Sequence, residues 1–597
     1  MAPIPGFCSG SYTLQSEYVD SERTINFYNE KPESIAAKSQ NTLLHTPGLK
    51  LAYSLLGENS VPFLFEVNGR GFAAGTYLWE LFADGTSIQR GTLNGPPLSP
   101  TQIAVNQTHL LILSNGDLFV FVLTPVTDDN GVLHPANEFL PVNMAQFNGP
   151  VLQIDFIDGY FIATLQNSNT FQVSDLEDGT TWNGLFISTI GYFPDNITSF
   201  KVDHREIQFM SGKKSVWYYN CGAGFPPFIP IQGAYMEQGA GATSATVQAN
   251  NTVAWIEADE RGGGMAMIAA GYVGQRISTY AVEFAWQSYP TIADAVGYAY
   301  QDQGHIFWVI LFPTANKTWV YDFATSLWHE RAFWKNGLYY AHRSMSHMSL
   351  FGKHFVGDPK SGSIYEMSIA FYDDFGNLIR RNRRCPDTTK ENKWVEFPRV
   401  EFDVEVGLQA SIGQAEILQI TAVEVVHNPL ASFGVINITI KGNPPLPFEK
   451  FQLFAIAGLK VATYANGQTV SISAFVAVPG GWVISGQTSL LAHAIVSDTG
   501  TATLTNGPQV TVPVVLKDGN GQPRAPQLML SWSNDAAKTF GNEYLLNCGK
   551  VGDYDARVYK VMTGRGRRRV WDVSMTDPIP WRIAGAFREA QCEGQAV

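Results

Sequence analysis

Short apolar runs separated by turn residues recur along most of this chain. Residues 110–113 and 118–123 flank Asn115-Gly116, residues 154–157 and 160–165 flank Asp158-Gly159, and residues 207–210 and 215–219 flank Ser211-Gly212. A further run, 78–82, stops at Asp84-Gly85. Pairs that tolerate positive φ between two apolar runs predict β-hairpins. The run from His305 to Pro313, apolar after its histidine, predicts a buried strand. From Val395 to Val406 the pattern changes to strict alternation, which predicts strands with one wet face. The first fifty residues have neither period and predict an extended arm ending at the Thr46-Pro47-Gly48-Leu49 turn.

Hairpins recurring every few tens of residues suit a β-propeller, where each blade is a small sheet. The predicted fold class is all-β: a propeller-like main domain over 51–370 after the arm 1–50. A C-terminal β platform follows, built from 371–407 and 518–597. Between its two parts, 408–517 reads as an insertion. Between Leu408 and Leu516 it carries seven charged residues (Glu416, Glu424, Lys441, Glu449, Lys450, Lys460 and Asp498), is rich in Val, Ile, Thr and Ala, and has turn signals at Asn466-Gly467 and Pro479-Gly480-Gly481. An Ig-like β-sandwich fits that composition, and so few charges on a peripheral module imply a partly covered surface.

Composition supports this picture and narrows the function. The chain has 597 residues, 55 Gly, 32 Pro, 13% aromatic and 16% charged residues, as expected of a turn-rich multidomain β protein. A net charge of −13 argues against a global basic field for nucleic acid, yet suits a wall along which DNA slides without sticking. Five scattered cysteines (Cys8, Cys221, Cys385, Cys548, Cys592) predict free thiols in a reducing cytoplasm. No secretory signal or membrane-length apolar run is expected.

Near the end, residues 526–533 lead into Ser533-Asn534-Asp535, with Thr539 and Phe540 following. The spacing of Ser533, Asp535, Thr539 and Phe540 resembles the Asp-box turn of sialidase-type propellers. There the Ser, Asp and Thr bond the turn's own backbone and a Gly takes the left-handed position. Ala537 stands at that place here, so a looser turn is expected.

Ordered runs along the chain carry a wider resemblance. They include Asn26, Tyr28 and Glu30 before Thr46-Pro47-Gly48-Leu49, then Asp158-Gly159-Tyr160, Thr181-Trp182, Asp203-His204-Arg205-Glu206 and Thr318-Trp319-Val320-Tyr321-Asp322. Trp328-His329-Glu330-Arg331, Gly357-Asp358 and the final Gly564-Arg565-Gly566-Arg567-Arg568-Arg569 complete the set. In order and spacing these resemble the tail hub or nozzle (packaged-DNA stabilisation) proteins of short-tailed bacteriophages, over most of 20–407 and 520–590. The resemblance implies a virion tail protein assembled in the host cytoplasm. It implies a homo-oligomer, a ring of six, below the portal and adaptor, that retains packaged DNA and conducts it at ejection without reading its sequence. The adaptor protein, tail fibre or tailspike, needle or plug proteins and, transiently, the host envelope are the implied neighbours.

Chemistry finds little support in the residues. The arginines cluster as Arg380, Arg381, Arg383 and Arg384, and as Arg565, Arg567, Arg568 and Arg569. Such crowded charges are expected to meet acids on a neighbouring subunit, with a solvated loop and DNA phosphate as the alternatives. Asp373-Asp374 and the Asp175, Glu177, Asp178 group read as solvated turns rather than a calcium loop. His204, His329 and His342 lack metal spacing and read as surface or strand-end groups. Gly262-Gly263-Gly264 is a turn without phosphate-loop features. No catalytic residue, metal or cofactor is expected, and the chain reads as no enzyme. The rival reading is a glycan-binding or glycan-cleaving sialidase-like propeller at the host surface. A third is a monomeric intracellular scaffold.

Overall fold

The computed structural model describes residues 1–34, 39–94, 101–127, 131–258, 263–388, 393–406, 516, 524–549 and 557–592, together with the backbone of the strands within 409–512. The signals at Gly262, Asn466-Gly467 and Pro479-Gly480 lie outside the described residues.

The chain divides into two compact units, Met1–Gly407 with Leu516–Val597, and Leu408–Val515. In the larger unit, five four-stranded antiparallel sheets follow one another among the described residues, and two further four-stranded antiparallel units form parts of a ten-stranded and a six-stranded sheet. Their first strands are Phe63–Val67, Thr101–Val105, Val151–Ile157, Ile197–Asp203, Val247–Ala249, Val296–Asp302 and Ser346–Leu350. Each first strand lies beside the next, and the seventh lies beside the first, which closes a ring of seven blades.

Seven apolar layers fill the seven seams. One joins Phe72 and Leu78 to Leu110 and Phe121, the next Leu111 and Val120 to Phe161 and Trp182, and so on to Leu64 and Trp79 against Met348 and Phe355. A blade therefore buries both faces, which is why its strands read as continuous apolar runs. A side chain such as Phe171 or Phe209, fully buried, contributes roughly 1.5–3 kcal/mol by leaving water.

The seventh blade borrows its outer strand from the start of the chain. Gly48–Ser54 pairs antiparallel with Ser363–Ser368, in the register Gly48 with Ser368 and Ser54 with Ser363. A Cβ at Gly48 would lie 2.5 Å from the Asp373 carbonyl oxygen, so the close approach of two backbones requires glycine there. The rest of the opening segment is also paired. Ser21–Ile25 extends the sixth blade's sheet toward Arg381–Arg384, Val570–Met575, Gln527–Ser533 and Tyr544–Asn547. Phe27–Glu30 and Thr42–His45 join a second sheet with Trp581–Arg588, Arg399–Val406 and Val558–Val561. Arg399–Val406 alternates half-buried and buried residues, the one-wet-face pattern that its sequence predicts.

The smaller unit corrects the sandwich expectation. Its strands pair in the order Glu416–His427, Gly434–Lys441, Gly481–Thr488, Thr469–Val478, Leu453–Ala457 and Ala494–Thr505, and the last pairs with the first. The ladder thus closes into a barrel rather than splitting into two facing sheets. Strands of twelve and ten residues with register shifts at Ile420/Ala422 and Ile472/Ala474 supply the coiling that brings the edges together. Gln409–Ala410 pairs with Thr511–Val512 at the unit's base.

Candidate functional site

The two arginine runs converge where the opening segment meets the C-terminal strands. Strand alternation places Arg381 and Arg383 on one face of Arg381–Arg384, and Asn382 and Arg384 on the other. Arg383 has no exposed surface. Its guanidinium donates to the carbonyl oxygens of Gly6, Phe7 and Gly10, to Thr24 Oγ1 at 2.8 Å and to Glu22 Oε2 at 2.6 Å. Burial holds the Glu22 carboxyl above its ordinary pKa although Arg383 pulls it down. On the other face Asn382 Nδ2 and Arg384 Nε both donate to Asp572, at 2.6 and 3.1 Å, and the Arg384 guanidinium lies 4.6 Å from the Phe540 ring centre. Arg380 stacks 4.9 Å from Trp334 and pairs with Glu543.

Arg569 is equally interior. It lies 4.6 Å from the ring centre of Phe397 and 4.9 Å from that of Trp571, and donates to Asn534 Oδ1 and the Thr563 carbonyl. Burial pushes its pKa down to about 10. Among the described residues Arg381 is buried without a hydrogen-bond partner, beside the Asp374 carboxyl. Burial pushes Asp374 up to about 8. Arg381, Arg383 and Arg569 therefore offer no surface to a neighbouring subunit, which corrects the expectation for these three. Backbone carbonyls and aromatic rings of the same chain take up charges that the sequence assigns to another. Asp374 is likewise no solvated turn residue, and His329 and His342 are buried rather than superficial.

The remaining arginines reach the surface. Arg568 stacks 3.7 Å from the Tyr18 ring centre, donates to its hydroxyl and lies 3.6 Å from Asp387. Arg565 and Arg567 are exposed and sit 5.3 and 5.0 Å from the Trp394 ring. Close by in the chain, Val558–Val561 ends one sheet, next to Tyr544–Asn547, which ends the other. Lys560 Nζ lies 4.5 Å over Tyr544. Leu545, Tyr559, Val561 and Met562 are exposed, Met562 by 89%. Among the described residues each of these strands has a ladder partner on one side only. Edge strands with exposed apolar side chains are templates for another chain. Sequence reasoning missed Trp394, Tyr18 and this edge. The signal for the edge is Val558-Tyr559-Lys560-Val561-Met562, apolar at both parities and so without a solvent face.

The Ser533 turn is closed by its own side chains. Ser533 Oγ donates to Asp535 Oδ1 at 2.5 Å and accepts from the Ala537 N–H at 2.9 Å, while Thr539 donates to Asp535 through both N–H and hydroxyl. Those bonds hold the Asp535 pKa down at about 2. Ala536 and Ala537 take φ of 60° and 70°. The turn is thus strained where a looser one is expected. Among the described residues no group of three or more His, Cys, Asp or Glu is arranged to hold a metal ion.

A family profile described as bacteriophage P22 Gp10, β-propeller, of the phage-stabilisation family, matches residues 6–371. The chain belongs to this family. It is thereby a tail hub or stabilisation protein of short-tailed phages, a structural component of the virion tail. The match takes in the opening segment, all seven blades and the strand that closes the ring. No curated protein matches the chain. Among solved structures, the extracellular domain of BT4673 from B. thetaiotaomicron is 9% identical, with a TM-score of 0.35, over 67% of this chain and 46% of that one. A chain of the S. cerevisiae assembly of dbp5, nup159 and gle1 is 11% identical, TM-score 0.32, over 58% of this chain and 98% of that one. PorZ of Porphyromonas gingivalis is 10% identical, TM-score 0.30, over 64% and 44%. The chain thus spans less than half of BT4673's extracellular domain, and scores this low carry no functional argument.

Proposed function

We propose that this tail hub protein works as a ring, six copies below the portal and adaptor, that closes on packaged DNA and conducts it at ejection. The observation that carries the reading is the paired sheet edge, Tyr544–Asn547 beside Val558–Val561, bordered by exposed Arg565 and Arg567 on a chain that belongs to a tail family. A patch that fits one part of a neighbouring copy and repeats by rotation gives a closed ring. The adaptor above and a fibre, tailspike, needle or plug below are its further partners. A net charge of −13 favours a channel lined by Asp and Glu, so that DNA passes without adhering.

The native mass of the purified chain tests this. Replacing Arg567 and Arg568 together by Glu lowers the mass toward that of one chain while the circular dichroism spectrum stays that of a β protein. An unchanged mass removes these arginines from the contact. In assembling particles, loss of the protein lets packaged DNA escape before a host is met; heads that keep their DNA without it would refute the retention role.

A further inference from the structure

Arg331 follows the outer strand of the sixth blade and faces the seventh. It is 1% exposed, and none of its three nitrogens has a hydrogen-bond partner among the described residues. Its guanidinium carbon lies 5.3 Å from the Tyr300 ring centre and 5.1 Å from that of Phe307. Two further buried polar atoms of this seam share its condition: the Tyr300 hydroxyl and His329 Nε2. Phe307 is their common floor, with ring centres 5.2 Å from Tyr300 and 6.0 Å from His329.

The neighbouring polar groups are already committed. His342 Nδ1 and the Tyr298 hydroxyl both meet Ser344 Oγ, at 2.7 and 2.8 Å. Asp322 takes bonds from His305, Thr325 and the Ala324 N–H, and Glu30 and Asp302, the other carboxylates that act on Tyr28 and His305, form no hydrogen bond to Arg331 among the described residues. A guanidinium is left in an aromatic seam with no carboxylate or carbonyl bonded to it. Such a charge is costly unless something absent from the chain itself answers it. Arg381 differs in having the Asp374 carboxyl beside it.

The guanidinium only donates, and the phenol and, in the tautomer protonated at Nε2, His329 can donate beside it. A water molecule could bond to these groups but leaves the guanidinium charge unanswered, whereas an anion accepts from the donors and neutralises the cation. We propose that the seam between the sixth and seventh blades binds one small inorganic anion of the chloride class, held by Arg331 with Tyr300 and His329. Full burial limits its size, and its place next to the strand that closes the ring makes it a clasp on the propeller.

The test is thermal unfolding of the full chain with chloride replacing isethionate at constant ionic strength. The wild type gains melting temperature saturably with chloride, and Arg331→Met does not. Should Arg331→Met fail to fold, Tyr300→Phe keeps the cation and removes one donor; it raises the half-saturating chloride concentration at least about threefold, the effect of losing one modest hydrogen bond. Crystals grown in bromide show an anomalous peak against the Arg331 guanidinium. Equal chloride responses in wild type and Tyr300→Phe, or a water molecule there in bromide-grown crystals, would overturn the assignment.

Discussion

The blades and the C-terminal junction are held by opposite means. Between blades the seams are built on apolar layers such as Phe161 on Val120 and Trp182, crossed by separate polar links such as the Phe200 N–H to Gln153 Oε1 at 2.7 Å. At the junction, one arginine, Arg383, binds three backbone carbonyls of the opening segment, a hydroxyl and a carboxylate. An apolar seam tolerates local exchange because its stability is spread over many contacts. A buried cation concentrates stability in one side chain whose removal strands several acceptors at once. The difference is one of failure mode: the blades soften gradually, while the opening segment detaches.

Arg383→Met breaks this comparison most strongly. It leaves Glu22 buried without its cation and the carbonyls of Gly6, Phe7 and Gly10 without their donor, at a cost of about 3–5 kcal/mol. Phe171→Ala, deep between the third and fourth blades, costs a similar 3–5 kcal/mol. Limited proteolysis separates them: Arg383→Met releases fragments cut before residue 25 from otherwise intact protein, and Phe171→Ala does not. Equal cleavage patterns would mean that the arginine packs like any other core residue.

The same contrast explains what the sequence discloses. Hairpins around Asn115-Gly116 and Asp158-Gly159 are legible because turn chemistry is local, and both asparagine and aspartate adopt positive φ as their position requires. The pairing of Gly48–Ser54 with Ser363–Ser368 is not, since no local property of either strand names a partner about three hundred residues away. The arginine runs announce charge but not its counterpart. Arg383 is answered largely by backbone carbonyls, and a carbonyl has no letter in the sequence. The inserted unit shows the limit of composition. Val, Ile and Thr favour strands equally in a sandwich and a barrel, and the register shifts near Ala422 and Ala474 decide between them. Arg565 and Arg567 are exposed, and a docking role for them is a proposal.

Apolar seams should also reject charge, and Glu257 in the fifth blade measures this. Among the described residues its Oε2 is buried without a partner, and burial pushes its pKa up to about 7 from 4.5. The folded state then holds the proton more tightly than the unfolded chain. This group's contribution is fully present below pH 4.5 and is lost as pH rises through about 7. Glu257→Gln removes that dependence and stabilises the protein at pH 8 by about 1 kcal/mol, discounted for partial exposure. A wild-type melting temperature that rises between pH 5 and 7, with the variant parallel to it, would show the carboxylate is answered after all.

The smallest effect tests the Ser533 turn, where junction and blade logic meet in four residues. If the absent glycine left the turn loose, Ala537→Gly would tighten it and stabilise the protein by more than about 1 kcal/mol. The observed bonds argue otherwise. Relief of left-handed strain, about 1–2 kcal/mol, is opposed by the loss of a nearly buried methyl, about 0.8 kcal/mol, and by the freer unfolded chain, about 0.4–1 kcal/mol. The net change should stay within about 0.8 kcal/mol of zero on these terms. Ser533→Ala, by contrast, takes the partner from the Ala537 N–H and from Asp535, and costs about 1 kcal/mol or more. It also lets the Asp535 pKa rise from about 2, readable by NMR titration. Side-chain bonds, not backbone freedom, then hold the turn, and Ala537 is a tolerated strain rather than a defect.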